Sequence, residues 1–328
     1  MTISIPATYG ALLLGGFLAS GLSGIVTVQS FIYTRLYPND DIRIKATVGA
    51  IWLLDTAHTA LVCASLWIYL IQYFGDTSKI DLIPRTVAMT IALTAILTFI
   101  VHCFFAHRIH KLSRRDWRIT APLVTFAFLR LCSASVTTAE MIHMKTFSSF
   151  KAEFRWVFTL GLALSSLVDV MIAVFLCYSL RNGRKSSSSM DHVINAVILY
   201  TFENNSLTST ATVVSMICWL VMPNNLIFMG LHFVISKLYA NSLLATLNAR
   251  RQLQQERAQR GLSGELPVAF PGLSNRYKSN YASRADQMAT KLEINVEKTV
   301  EYEIDVGTSS HHRSPTLPSP SETPLELS

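Results

Sequence analysis

Seven polar side chains sit where a chain rarely leaves them, inside long apolar runs: Asp55, His58, Arg130, Asp169, Glu203, Lys237 and Asn241. Lys237 stands near the middle of LIFMGLHFVISKLYANSLLATLNAR, Leu226 to Arg250, with Asn241 and Asn248 beyond it. At 3.6 residues per turn, those three side chains fall within about 40° of one another on a helix. An ammonium in hydrocarbon costs at least ~2.5 kcal/mol, so this face must meet protein or a wet cavity rather than lipid. Opposite charges at such a place can neutralise one another as ion pairs, hold a ligand or pass an ion. Asp55, Arg130, Asp169, Glu203 and Lys237 each lie ten to thirteen residues from a basic or histidine-marked helix boundary. At ~1.5 Å per residue that places all five about 15–20 Å deep, in one layer. Lys237 then has three possible acidic partners, Asp55, Asp169 and Glu203, and spacing does not choose among them. The plainer alternative is structural: polar groups in helix bundles often serve as interhelical glue, worth ~0.6 kcal/mol each on average. That reading suits the Ser and Thr residues of SLTSTATVVS.

The elements that must carry these residues are apolar helices. Half of the 328 residues are apolar and only 15% are charged. Uncharged or nearly uncharged stretches predict seven transmembrane helices at about 7–33, 46–74, 85–107, 119–144, 156–180, 193–221 and 226–248. Each offers the ~20 residues that a hydrocarbon core of ~30 Å requires. The expectation is an all-α, polytopic seven-helix bundle occupying residues 1–251. In the first span Gly16, Ser20 and Gly24 recur four apart and predict a face on which a neighbouring backbone packs closely. The five cysteines all fall inside apolar runs, so no disulfide is expected.

Lys and Arg cluster between the runs, which makes the net charge of +7 a matter of topology and not of nucleic-acid binding. Arg35, Arg43, Lys45, Arg108, Lys111, Arg114, Arg115, Arg118, Arg181, Arg184, Lys185, Arg250 and Arg251 would share one side. Lys79, Arg85, Lys145, Lys151 and Arg155 would face the other. The positive-inside bias therefore predicts the N-terminus outside and the C-terminus in the cytoplasm. Residues 252–328 are rich in Ser, Pro, Glu, Lys and Arg and predict a disordered cytoplasmic tail, a place for a cytoplasmic protein partner to dock. Ser314, Ser319 and Thr323 precede proline there and are phosphorylation candidates.

Other chemistries find less support. His102, His107 and His110 gather near a basic boundary and read as interfacial side chains, not as the converging ligands zinc needs. A retinal linkage at Lys237 would need a carboxylate counter-ion on the third helix, which has none. No nucleophile-plus-base pair stands out, so neither enzyme activity nor a cofactor is expected.

LLDTAHTALV at Leu53 to Val62, SSLVDVMIAVFLCYSL at Ser165 to Leu180 and above all SKLYANSLLATLNAR at Ser236 to Arg250 carry a resemblance. Over most of residues 7 to 251 the chain resembles the fungal seven-helix membrane proteins grouped as domain of unknown function 6534. Helix six has LYTFENNSLTS where that family usually has YTINTGLLTS, so Glu203 and Asn204 depart from the pattern. The resemblance implies a multi-pass membrane protein and brings no reaction or ligand. Two functions remain as expectations. One is a receptor-like sensor that binds a small or lipid-like molecule within the bundle, at the plasma membrane by default. The other is a proton-coupled transporter that uses the charged layer as its relay, although the chain shows no internal repeat.

Overall fold

The structure is a computed structural model that describes residues 5–113, 116–182, 191–222 and 225–259, with the side chains of 77–78, 180–204 and 251–259 left aside. The described residues form α1 (Ala11–Leu36), α2 (Ile42–Trp67), α3 (Arg85–Leu112), α4 (Trp117–Met144), α5 (Phe147–Asn182), α6 (Asp191–Val221) and α7 (Ile227–Gln259). Short π-helical turns, Pro6–Gly10 and Ile68–Gln72, prolong the bundle at the start of α1 and the end of α2. Asp41 and Asp116 cap α2 and α4 by accepting the backbone N–H of Arg43 and Arg118 at 3.3 and 2.9 Å, which satisfies donors that a helix start leaves open. Lys145 closes α4 in the left-handed region, at φ 61°. Just beyond it, the Ile83 N–H donates to the Lys145 carbonyl at 2.7 Å and ties the α2–α3 link to the α4–α5 link.

Six helices are long and apolar enough to cross a membrane, and Asn205–Val221 of α6 adds a shorter apolar segment. Successive helices are neighbours and α7 returns to α1, which closes a ring; α3 and α7 also touch across it. α7 is the most enclosed, with 72% of its apolar window buried against 28–56% for the other five spans. The outer surface is apolar: Phe17, Phe128, Val174 and Leu207 are each more than half exposed. Inside, Asp55, Asp169 and Lys237 are at most 1% exposed. Apolar side chains outward and charges inward invert the arrangement that water favours and match the one that lipid does.

Two apolar clusters fill the interior. One gathers Tyr33, Ile51, Leu97, Val168 and Leu247, the other Leu12, Val62, Ile91, Leu162 and Phe228. On α2, Asp55 and His58 occupy the level where one cluster gives way to the other, between Ile51 and Val62; on α5, Asp169 lies just past that change, beside Val168 of the first cluster.

Several local expectations are corrected. α5 begins at Phe147, nine residues before the expected start at 156, and bends at Phe154. The reason is aromatic: Phe147 and Phe150 are buried, Phe147 against Phe228 and Phe150 against Trp219. The close helix approach on α1 lies at Gly15, where an added Cβ would come within 2.5 Å of the Gly230 backbone. Ser20 and Gly24 are instead exposed. α7 runs on to Gln259, beyond the expected boundary at 251. The phosphorylation candidates Ser314, Ser319 and Thr323, and the tail from 260, lie outside the described residues. None of the five cysteines forms a disulfide among the described residues.

Candidate functional site

Three helices meet around Lys237. Its Nζ donates to Asp55 Oδ1 and to the Asp55 carbonyl, each at 2.8 Å, and to Thr59 Oγ1 at 2.6 Å. Asp55 and Thr59 are one turn apart on α2, so they present to the same face of α7. Thr59 Oγ1 lies 3.0 Å from Ser23 Oγ on α1, and Ser23 Oγ donates to the second carboxylate oxygen, Asp55 Oδ2. The bonds form a ring from the ammonium through two hydroxyls back to the carboxylate. An ammonium has three donors, and here all three are used. The lysine is therefore closed: a ligand can reach it only by displacing Asp55 or Thr59.

Asn241, one turn after Lys237, serves the helix seam and not the charges. Its Nδ2 donates to the Lys237 and Leu22 carbonyls at 2.9 and 3.2 Å. Asn248 repeats the device seven residues on, with Nδ2 donating to the Gln29 carbonyl at 2.9 Å. Leu22 and Gln29 are themselves seven apart, and helical side chains lean toward the N-terminus, so both amides reach back onto α1 in the same way. At the end of this seam, Arg250 is fully buried, bonds Asp40 Oδ2 at 2.6 Å and lies over the Tyr37 ring at 4.3 Å. Tyr33 donates to the same carboxylate at 2.9 Å. Sequence placed Arg250 as a boundary charge; the structure buries it in a pair.

A second network surrounds Asp169 on the far side of α7. Oδ2 accepts from Tyr239 at 2.7 Å and from Thr208 at 3.2 Å, and Oδ1 meets His102 Nε2 at 3.2 Å. Ser165 Oγ lies 2.8 Å from Tyr239 Oη, and since that hydroxyl donates to Asp169, the serine supplies the proton of their bond. Tyr239 and Lys237 are two residues apart, about 200° around the helix, which is why one residue faces α1 and α2 while the other faces α3, α5 and α6.

Arg130 is 7% exposed on α4, and its Nε and Nη1 have no hydrogen-bond partner among the described residues. It lines a cavity of about 30 Å³ together with His232 of α7. Among the described residues, neither ring nitrogen of His232 has a partner, and neither has either ring nitrogen of His58 on α2. Among the described residues no three His, Cys, Asp or Glu side chains converge as a metal-ligand set would.

The structure thus joins Asp55 to Lys237, places His58 buried one turn from Asp55, and sets Arg130 and Asp169 on the opposite side of α7. The Glu203 side chain lies outside the described residues. Sequence reasoning missed His102, Tyr239, Ser23, Thr59 and His232. His102 was read with His107 and His110 as interfacial; it is instead buried, 1% exposed, and bonded to Asp169. Its distance from the basic Lys111 end was the available signal. His110 does sit at that end, with its ring 4.7 Å from Trp117.

Residues 165–252 match DUF6534, a family of unknown function. This stretch runs from the middle of α5 into α7 and contains Asp169, Thr208, Lys237, Tyr239 and Arg250, so it supplies Lys237 to one buried network and all but His102 to the other. Asp55, His58, His102 and Arg130 lie before it. No curated protein and no solved structure matches the chain.

Proposed function

We propose that the chain is a seven-pass integral membrane protein, N-terminus outside and C-terminus cytoplasmic, that acts as a receptor-like sensor with α7 as its reporting helix. The orientation rests on the distribution of Lys and Arg between the helix ends. The observation that carries the sensor reading is that, among the described residues, α7 alone holds both buried networks, through Lys237 on one face and Tyr239 on the other. A small or lipid-like molecule that takes the place of Asp55 at Lys237 changes what α7 is held by. Because α7 runs on to Gln259, the change is delivered to the segment that enters the tail, where a cytoplasmic partner would read it. A ligand shifts such an equilibrium only by its differential affinity for the two arrangements. The closed Lys237 ring supplies the low-energy resting state against which that difference is set.

The His102–Asp169–Tyr239–Ser165 chain favours a second reading, a proton-coupled carrier, because buried titratable groups in hydrogen-bonded series are what a relay requires. Vesicles containing the purified protein and a trapped pH-sensitive dye separate the two. The sensor reading expects a pH step across the membrane to decay as in empty vesicles. Faster decay that is lost in Asp169→Asn would overturn it in favour of the carrier.

A further inference from the structure

The two networks around Lys237 and Asp169 satisfy their charges; the groups around the 30 Å³ cavity do not. Its walls come from five helices and are mostly apolar, with Phe158 and Gly161 of α5 among them. Arg130 and His232 both line this space, and Nε and Nη1 of Arg130 and both ring nitrogens of His232 have no hydrogen-bond partner among the described residues. Both residues are more than nine-tenths buried. Thr137 and Thr212 also line it, and both hydroxyls already donate, Thr137 to the Ser133 carbonyl at 2.9 Å and Thr212 to the Ser209 carbonyl at 2.8 Å. The nearby carboxylate does not answer the guanidinium: Asp169 is filled by His102, Tyr239 and Thr208, and no hydrogen bond joins it to Arg130. A buried donor left unmade costs ~1–3 kcal/mol and more when charged, so this is a site built for an acceptor.

We propose that the Arg130–His232 cavity is a binding site for a small monovalent inorganic anion of the halide class, chloride foremost. Size and chemistry select it. A water needs ~10–15 Å³ of such volume, so the cavity holds about two waters or one monatomic anion and excludes a phosphate ester, a nucleotide or a fatty acid. A halide carries a single diffuse charge and accepts hydrogen bonds from any direction. That suits an apolar chamber with one guanidinium edge and one imidazole, since buried charge must be paired and hydrogen-bonded to be tolerated. Sulfate, which is larger and divalent, meets neither condition. The anion would bridge α4 to α7, five residues before Lys237, and so brace the helix that both networks hold. The inference does not depend on the sensor reading, because it needs no organic ligand and leaves the bonds of Lys237 and Tyr239 as they are.

The test is thermal unfolding of the full-length protein in lipid nanodiscs, in sodium gluconate titrated with sodium chloride at constant ionic strength. Chloride-35 NMR line broadening on the same samples observes the ion directly. The expected result is a midpoint that rises saturably with chloride and not with sulfate, and chloride broadening that unlabelled bromide competes away. Arg130→Gln should abolish both effects. Ala134→Val, which adds two methyl groups to the cavity wall and leaves Arg130 and His232 in place, should weaken both at least tenfold in the chloride concentration required. Equal midpoints in chloride and gluconate for the wild type would overturn the proposal and assign the cavity to water. So would a chloride effect that survives undiminished in Ala134→Val, whether or not Arg130→Gln folds.

Discussion

Removing the ammonium of Lys237 is the perturbation whose size the structure sets most directly. In Lys237→Met the side chain stays unbranched and apolar, one atom shorter, and loses three bonds, to Asp55 Oδ1, the Asp55 carbonyl and Thr59. Asp55, 1% exposed, is then left with the Ser23 hydroxyl as its side-chain partner. Breaking a buried pair by deleting one partner typically costs ~3–5 kcal/mol, far more than the ~0.2–1 kcal/mol of an exposed pair. Removing both charges together, Asp55→Leu with Lys237→Met, leaves no orphan and is expected to recover at least half of that loss. The assay is reversible unfolding of the four proteins of the double-mutant cycle in mixed micelles titrated with dodecyl sulfate. The coupling free energy should be at least ~2 kcal/mol. A Lys237→Met protein within about 1 kcal/mol of wild type would refute the reasoning, because it would mean that the ammonium is hydrated or the pair is not formed.

Three further outcomes can be checked in the same way. Gly230→Ala places a Cβ 2.5 Å from the Ala11 carbonyl oxygen, which is backbone and cannot swing away, so it should destabilise the bundle by ~1–3 kcal/mol; Gly24→Ala, with nothing within 4 Å, should stay within ~0.5 kcal/mol. Tyr239→Phe deletes the 2.7 Å bond to Asp169 and strands the Ser165 hydroxyl, for an expected loss of ~1–3 kcal/mol by dodecyl sulfate titration. Arg250→Gln removes the charge that holds Asp40 and Tyr37 at the end of α7, and hydrogen exchange should then rise in the last turns of α7 before it rises at Lys237.

How far the sequence could be read depends on which physical signal each feature leaves in it. Apolar length is local, so the helices announce themselves, and the inward charges mark a polar level because lipid forbids them. Partnership is not local. Counting from the basic ends left Asp55, Asp169 and Glu203 equivalent for Lys237; the choice of Asp55 follows from how α7 is rotated, with Lys237 toward α2 and Tyr239 toward α5. The small-residue face failed for the same reason, since Gly15 and Gly16 are neighbours in sequence but 100° apart on the helix, and only Gly230 on α7 decides between them. Phe147 and Phe150 sat in a stretch that composition reads as a link, and it took Trp219 and Phe228, far along the chain, to bury them. His102 was grouped with His107 and His110 by proximity along the chain, although five residues rotate it well away from His107 and carry it deeper into the bundle.

The most direct test of α7 as the reporting helix of a sensor is native mass spectrometry of the protein purified from its membrane, side by side with Lys237→Met. The account predicts a defined small or lipid-like molecule held by the wild type and lost, or held in reduced proportion, by the variant. The same molecule retained equally by both proteins, or ligand-free spectra from both, would contradict it and leave the Lys237–Asp55 pair a structural brace.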